Sequence, residues 1–416
     1  MEVLCGVVVG FARTSWKVNP TRLSDYITEE ERSTGQMGTG KSASPLEELL
    51  NMPVRGQNPY VKEWKEQGGL VFGFICSYVP EEIIYSMGIL PIRAGALGET
   101  RTDDADVYLH RFHCTYARCL LQLGLTGEYG FLDGFVFLNG CDQLRRVYEI
   151  WKKHVKTEFM GMVTAPHAFG KSRLEWYVYS IRKLIDDIAS QYALLPSETR
   201  LEESISIYNR FRELMLELYM LRAREKPLLS GSEAMRILNA AFNMPKTKFN
   251  DKLEKAIEEL KQRPGITGYR ARIMLAGGFM DDTFLIDLIE REMGALVVTD
   301  NLCYGRRYLD GSVASGKDLI SSIAERYFYH NPCPRMVGHH KARIEFTKRV
   351  AEEAKVDGVI FQKLSFCDLH GTESQIQAKE LEQMGIPALI LEKQYAPGDE
   401  GRLKTRIQAF LERLGK

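Results

Sequence analysis

The stretch Leu132–Trp151, LDGFVFLNGCDQLRRVYEIW, constrains the fold more tightly than any other. Its apolar run Phe135–Leu138 reads as a buried strand, with Asp-Gly before it and Asn-Gly after it. Cys141-Asp142 follow, and Leu144, Val147, Tyr148 and Trp151 then recur at the spacing of an amphipathic helix. A cysteine between a strand's carboxyl end and a helix's amino end lies in the crevice where open α/β sheets bind ligands. The helix dipole there favours a thiolate. The same arrangement returns as DGVIFQKLSFCDLHG, with Asp357-Gly358 opening the strand and Cys367-Asp368 closing it. Two strand-end Cys-Asp pairs point to two α/β halves facing a shared site.

The flanking sequence agrees. LVFGFIC, ILPIRAG, the organising strand and FMGMVTAP alternate with helical spacings, and so do RIMLAGG, ALVVTDNL, DGVIFQKL and ALILE. Alternating strand and helix implies parallel sheet. Between these halves, Leu174, Tyr177, Val178, Ile181, Leu184, Ile185 and Ile188 fall three and four residues apart, and a second such series runs from Leu201 to Leu218. Ser232 and Asn250 read as N-caps of two further helices, and a late helix is expected from about Glu373. The expected fold is therefore α/β, two Rossmann-like parallel-sheet domains joined by a helical layer. Its parts are an N-terminal extension (1–65), α/β domain I (66–168), a helical connecting region (169–266) and α/β domain II (267–416).

The 416 residues suffice for a large core. Lys plus Arg and Asp plus Glu balance at 55 each, so no net field steers the chain toward nucleic acid or an anionic membrane. No apolar run reaches the roughly 18 residues of a membrane helix. The N-terminal MEVLCGVVVGFARTSW has neither a basic first region nor an A-x-A-like cleavage site, so a cytoplasmic protein is expected. Gly35–Ser42, GQMGTGKS, matches a phosphate loop in spelling. The polar run SDYITEEERST stands where that loop needs a hydrophobic strand, and Pro45 and Pro53 interrupt what should be its long helix. A Gly/Ser-rich linker accounts for it better.

Chemistry concentrates on the cysteines. No C-x-x-C pair occurs among the eight, which excludes zinc-ribbon and thioredoxin spacings. Cys76, Cys141, Cys303 and Cys367 each follow an apolar strand, Cys114 precedes a helix, and Cys333 sits between two prolines. Core filler would fall inside strands or on apolar helix faces, as Cys5 and Cys119 do. Soft thiolates without interleaved histidine suit zinc or an iron–sulfur cluster. The cluster fits better, because it takes three or four thiolates from distant loops. His110, His113 and His370 read as exposed or structural.

Four stretches carry a family resemblance: YVPEEIIYSMGILPIR, HCTYARCLLQLGLTGEYGFLDGFVFLNGCDQLRRVYEIW, ALVVTDNLCYGRRY and DGVIFQKLSFCDLHG. From about residue 60 onward the chain resembles the iron–sulfur subunits of 2-hydroxyacyl-CoA dehydratases and benzoyl-CoA reductases. The resemblance implies a [4Fe–4S] cubane held by Cys114, Cys141 and Cys367 with one iron open. It implies a homologous partner subunit or a homodimer, and a separate ATP-dependent activator that delivers a low-potential electron. The reaction implied is a ketyl radical on a CoA thioester, leading to dehydration or ring reduction. Glu81 and Glu82 become candidate proton carriers, against a plainer reading as surface acids matched to a helix dipole. Asp142 and Asp368 are read as shaping the cluster loops or simply capping their helices.

Cys76, Cys303 and Cys333 exceed the needs of one cubane. They resemble positions in double-cubane-cluster reductases of small molecules, a sister group with two linked cubanes. The chain departs from that group where Gly127-Glu128 stands in place of a further cysteine. A double cubane, or a non-catalytic cluster-bearing subunit, is the alternative.

Overall fold

Short apolar runs separated by helix-length segments can pair only in parallel, because each crossover must carry a helix over the sheet. In the computed structural model, which describes residues 43–316, 318–330 and 333–416, they do so twice. The first sheet contains β1 (Leu70–Phe74), β2 (Ile89–Arg93), β3 (Gly134–Leu138) and β4 (Phe159–Val163), in the order β2-β1-β3-β4. The second contains β5 (Arg272–Gly277), β6 (Leu296–Asn301), β7 (Gly358–Leu364) and β8 (Ala388–Lys393), in the order β6-β5-β7-β8. Every pairing is parallel. The two sheets thus repeat one topology, and each changes winding direction at the same place, between β1 and β3 and between β5 and β7. Ligands bind at such switch points, outside the carboxyl ends of the strands.

Helices cover both faces. Helices α1 (Pro45–Leu50) and α2 (Pro59–Glu66) precede the first sheet, and in domain I α3 (Glu81–Ser86), α4 (Thr115–Leu125) and α5 (Asp142–His154) follow its strands. The helical layer is α6 (Lys171–Tyr192), α7 (Glu198–Ala223), α8 (Gly231–Ala241) and α9 (Lys246–Lys261). Domain II adds α10 (Phe284–Asp287), α11 (Arg306–Leu309), α12 (Leu319–Tyr329), α13 (His340–Glu353), α14 (Asp368–Gln383) and α15 (Glu400–Arg413). Period-two alternation on β1 sends Phe72 and Phe74 into a core shared with Ile181 and Leu184 of α6, Phe211 of α7 and Ile273 of β5. Val71 faces the opposite layer, packed with Leu120 of α4 and Trp151 of α5. One continuous core therefore joins both sheets through the helical layer, which fixes the two sets of strand ends relative to each other.

Three boundaries differ from the sequence reading. Helix α8 is capped by Ser230, whose side chain and that of Glu233 close a capping box, while the Ser232 hydroxyl donates to Asp287 instead (2.8 Å). Helix α9 begins after Pro245; Asn250 lies inside it and donates to the Ile207 carbonyl of α7 (3.0 Å). Helix α14 starts at Asp368, well before Glu373. The segment FLIDLIERE makes one α-turn and then widens to π geometry over Leu288–Glu292. There Glu290 is drawn to the amides of Gly231 (2.7 Å), Val297 (3.1 Å) and Ser232 (3.2 Å). The expected first strand, Cys5 and the phosphate-loop match at Gly35–Ser42 lie outside the described residues. Among the described residues no helix is long and apolar enough to cross a membrane.

Candidate functional site

Three of the cysteines are helix N-caps. Cys114 caps α4, Cys141 caps α5 directly after β3, and Cys367 caps α14 directly after β7. None makes a hydrogen bond of capping geometry, yet first-turn amides lie near enough to favour the thiolate: Ala117 and Tyr116 for Cys114, Leu144 for Cys141, His370 for Cys367. Burial outweighs that help. Desolvation pushes Cys114 up to about 12 and Cys367 up to about 11, and raises Cys141 as well. Mutual repulsion adds to it, since Cys141 senses Cys114 and Cys367, and Cys114 senses Cys367. The thiols of Cys114, Cys141 and Cys367 thus form one electrostatically coupled group drawn from both domains. The amide of Cys114 donates to Gln143 Oε1 on α5 (3.2 Å), which ties two of their loops together. Phe112 and Phe366 meet across the domains with ring centroids 5.3 Å apart.

Cys76, Cys303 and Cys333 form a second group. Cys76 follows β1 with a φ of 82°, in the left-handed region that a non-glycine residue occupies only under strain. Its sulfur lies 3.7 Å from where a Cβ on Gly140 would stand, so the loops after β1 and β3 abut. Domain I also holds the other two cysteines. Ser77 Oγ (2.7 Å) and Arg93 Nη1 (3.4 Å) donate to the Cys303 carbonyl, and Arg93 Nη2 lies 3.9 Å from its sulfur. The Cys333 amide donates to Tyr78 Oη (3.3 Å). Arg335 reaches across to the carbonyls of Ala165 (2.7 Å), Pro166 (3.2 Å) and Gly140 (3.3 Å). Burial, reinforced by Cys333, pushes Cys76 up to about 11; burial raises Cys303 despite Arg93 and Arg307. Cys333 and Cys303 also raise Cys367, so the two groups are themselves coupled. Among the described residues no three His, Cys, Asp or Glu side chains stand close enough together to share a single metal ion.

The remaining expected residues have environments of their own. Cys119 is buried in the apolar layer of α4, as core packing requires. Glu81 and Glu82 are wholly buried, which removes their reading as surface acids. Glu81 accepts from Lys246 of α9 (3.0 Å) and from Tyr308. Glu82 pairs with Arg212 of α7 and accepts from Tyr327 (2.7 Å). Burial alone would raise the Glu82 carboxyl; Arg212, Arg326 and the Tyr327 bond overcome that and hold it below its ordinary range. Asp142 and Asp368 are exposed, and Asp142 faces Arg145 and Arg146 at 3.9 Å. His370 is buried, and desolvation pushes it down to about 3, so its ring is neutral. Arg93 and Arg335 were not singled out from the sequence. Their signal was available in position, Arg93 ending β2 and Arg335 standing two residues after Cys333.

Residues 76–414 match the family model described as 2-hydroxyglutaryl-CoA dehydratase, D-component. The chain belongs to this dehydratase family. Among curated members, the (R)-phenyllactyl-CoA dehydratase beta subunit of Clostridium sporogenes is 25% identical, over 87% of this chain and 96% of its own length. The lactoyl-CoA dehydratase subunit beta of Anaerotignum propionicum is 24% identical, over 89% and 98%. A benzoyl-CoA reductase subunit of Thauera aromatica is 23% identical, over 85% and 94%. The match begins at Cys76 and takes in all six strand-end and loop cysteines of this D-component family member.

Proposed function

We propose that the chain is an iron–sulfur subunit of a cytoplasmic enzyme that dehydrates or reduces CoA thioesters. The observation that carries this reading is the coupled group Cys114, Cys141 and Cys367, three N-cap thiols from both domains, Cys114 buried and the other two half-buried. The donor set suits the group: all sulfur, no interleaved imidazole, on loops too far apart in sequence for a zinc ribbon. A cubane places its thiolates on separate irons, so its ligands spread wider than those of one ion. Cys114, Cys141 and Cys367 would hold a [4Fe–4S] cubane there, which would supply a low-potential electron and a Lewis-acidic iron. The protein's own residues supply the rest. Three helix N-termini favour the thiolates, the shared core fixes the two strand-end sets, and burial keeps water from a strong reductant. The names of its relatives, all parts of larger enzymes, favour a homologous partner or a second copy. The family resemblance implies that the electron comes from a separate ATP-dependent activator.

A second reading has its own observation. Cys76, Cys303 and Cys333 form another, half-buried sulfur group, which adds to the field on Cys367 of the first. Two linked cubanes in a reductase of small molecules would use all six. Purification without oxygen, with iron and sulfide counted per chain, separates the readings: about four irons for one cubane, about eight for two. Colourless, iron-free material would overturn both.

A further inference from the structure

Two helix faces in domain II carry polar residues where a buried face calls for apolar ones. On α14, His370, Glu373, Ser374 and Gln377 recur three and four residues apart, and all are buried. On α13, Arg343 and Thr347 do the same. Hydrogen bonds join the two faces. Glu373 accepts from Arg343 Nε (2.7 Å) and Nη2 (2.9 Å) and from Gln377 Nε2 (2.7 Å). Thr347 Oγ1 donates to Gln377 Oε1 (2.8 Å) and accepts from Asn301 Nδ2 at the end of β6 (2.8 Å). A cavity of about 10 Å³ lies within this network, against Ala276 and Gly277 at the end of β5. It is on the carboxyl-end side of the sheet, where this fold class receives ligands. It has room for one water-sized particle.

Two polar atoms of residues lining this cavity are left over. Arg307 is buried. Its Nε donates to Asn301 Oδ1 (3.0 Å) and its Nη2 to the carbonyls of Asn301 (2.8 Å) and Gly277 (3.0 Å). Its Nη1 has no partner among the described residues. Ser374 Oγ, on the facing helix, is buried and unpaired too. An unmet buried donor is costly, and an uncompensated buried charge more so. Arg343, the other guanidinium here, is neutralised by Glu373; no carboxylate pairs with Arg307 among the described residues. The lining therefore carries one positive charge more than it has negative ones. His370 is the remaining titratable group of the lining. Burial and the Arg307 charge hold its ring neutral, so it offers an N–H without adding charge.

We propose that this cavity binds one monovalent anion of chloride size, held by Arg307 Nη1 and Ser374 Oγ. Size decides against phosphate, sulfate and carboxylate ligands, which bring several oxygens to a space for one particle. Charge decides against a metal cation. A water molecule would meet the hydrogen bonds but leave the Arg307 charge uncompensated. The bound anion completes the network that fixes α14 against the ends of β5 and β6. The site goes beyond the thioester reading and does not depend on it.

The test uses the full chain, purified without oxygen and exchanged into gluconate, an anion too large for the cavity. Chloride added at constant ionic strength should raise the urea midpoint along a single-site curve, with iron content unchanged. Ser374→Ala should move that curve to about tenfold higher chloride. Ser374→Asp puts a carboxylate of the chain's own beside Arg307 and should lose the chloride response. In crystals of the wild type soaked with bromide, an anomalous peak should stand between Arg307 and Ser374. A wild-type midpoint that ignores chloride overturns the proposal, and a bromide peak in that case marks an adventitious ion only. Soaked crystals without a peak at this site overturn it as well. So does a chloride response that is the same in both variants as in the wild type. If neither variant folds, the wild-type response and the bromide peak still decide. None of these measurements involves an acyl-CoA, so their failure leaves the thioester reading in place.

Discussion

At the scale of single residues, buried acids of opposite character should separate under titration. Asp281 has a folded pKa of about 7, raised mainly by burial, against an ordinary value of 3.8. Its proton is held more tightly in the folded state. The stability this contributes is fully present below the unfolded pKa and is lost as pH rises through about 7. Urea titrations should therefore show wild type gaining on Asp281→Asn between pH 7 and pH 4, by roughly 4 kcal/mol at most. Glu82 behaves oppositely. Its depressed carboxyl stabilises the fold above its unfolded pKa, and that stability is lost only as pH falls through the lower folded value. Glu82→Gln leaves the buried Arg212 without its partner, and should cost about 3–5 kcal/mol at neutral pH. If Glu82 instead served mainly to carry protons, the variant would unfold at wild-type urea concentrations and lose only turnover. Burial of these acids was not legible in the sequence. Pro80-Glu81-Glu82 spells an ordinary exposed helix start, and only Lys246 and Arg212, more than a hundred residues away, make it an interior one.

At the scale of elements, the N-caps give a clean distinction between structural and functional cysteine. Serine is a better N-cap than a thiol that makes no capping bond. Cys141→Ser should leave the urea midpoint of the iron-free protein unchanged or raise it, by up to about 1 kcal/mol, while the iron bound per chain falls. A cysteine kept only for packing would show the reverse, lower stability with iron retained. The packing of α4 on α5 supplies the contrasting case. A Cβ on Gly124 would lie 2.5 Å from the Trp151 ring, which is itself wholly buried. Gly124→Ala should cost about 1–3 kcal/mol by overpacking, measured in the same unfolding experiment, with the cysteines untouched. Strand and helix identities at this scale were legible, because an apolar run closed by a cysteine and followed by three- and four-residue spacing admits few alternatives. Caps were read less well: Ser230 and Glu233 spell a capping box, yet Ser232 looked equally suitable until its hydroxyl proved committed to Asp287.

At the scale of the whole molecule, the repeated strand order makes Cys141 after β3 and Cys367 after β7 equivalent, and it brings both to switch points. That much follows from the two Cys-Asp repeats in the sequence. What no single-chain pattern contains is how the second triad is assembled, because Cys303 and Cys333 are held by Ser77, Arg93 and Tyr78 of the other domain. The strained φ of Cys76 belongs with them, since a left-handed cysteine persists only where its surroundings over-determine it. If Cys76, Cys303 and Cys333 merely lined a core, replacing Cys333 by Ser would leave the iron content at its wild-type value. If they hold a second cubane, Cys333→Ser should halve iron and sulfide together, from about eight to about four per chain, while Cys141→Ser removes the other half. A wild-type count of about four, undiminished in Cys333→Ser, would assign all bound iron to Cys114, Cys141 and Cys367 and leave the second triad as the wall of their crevice.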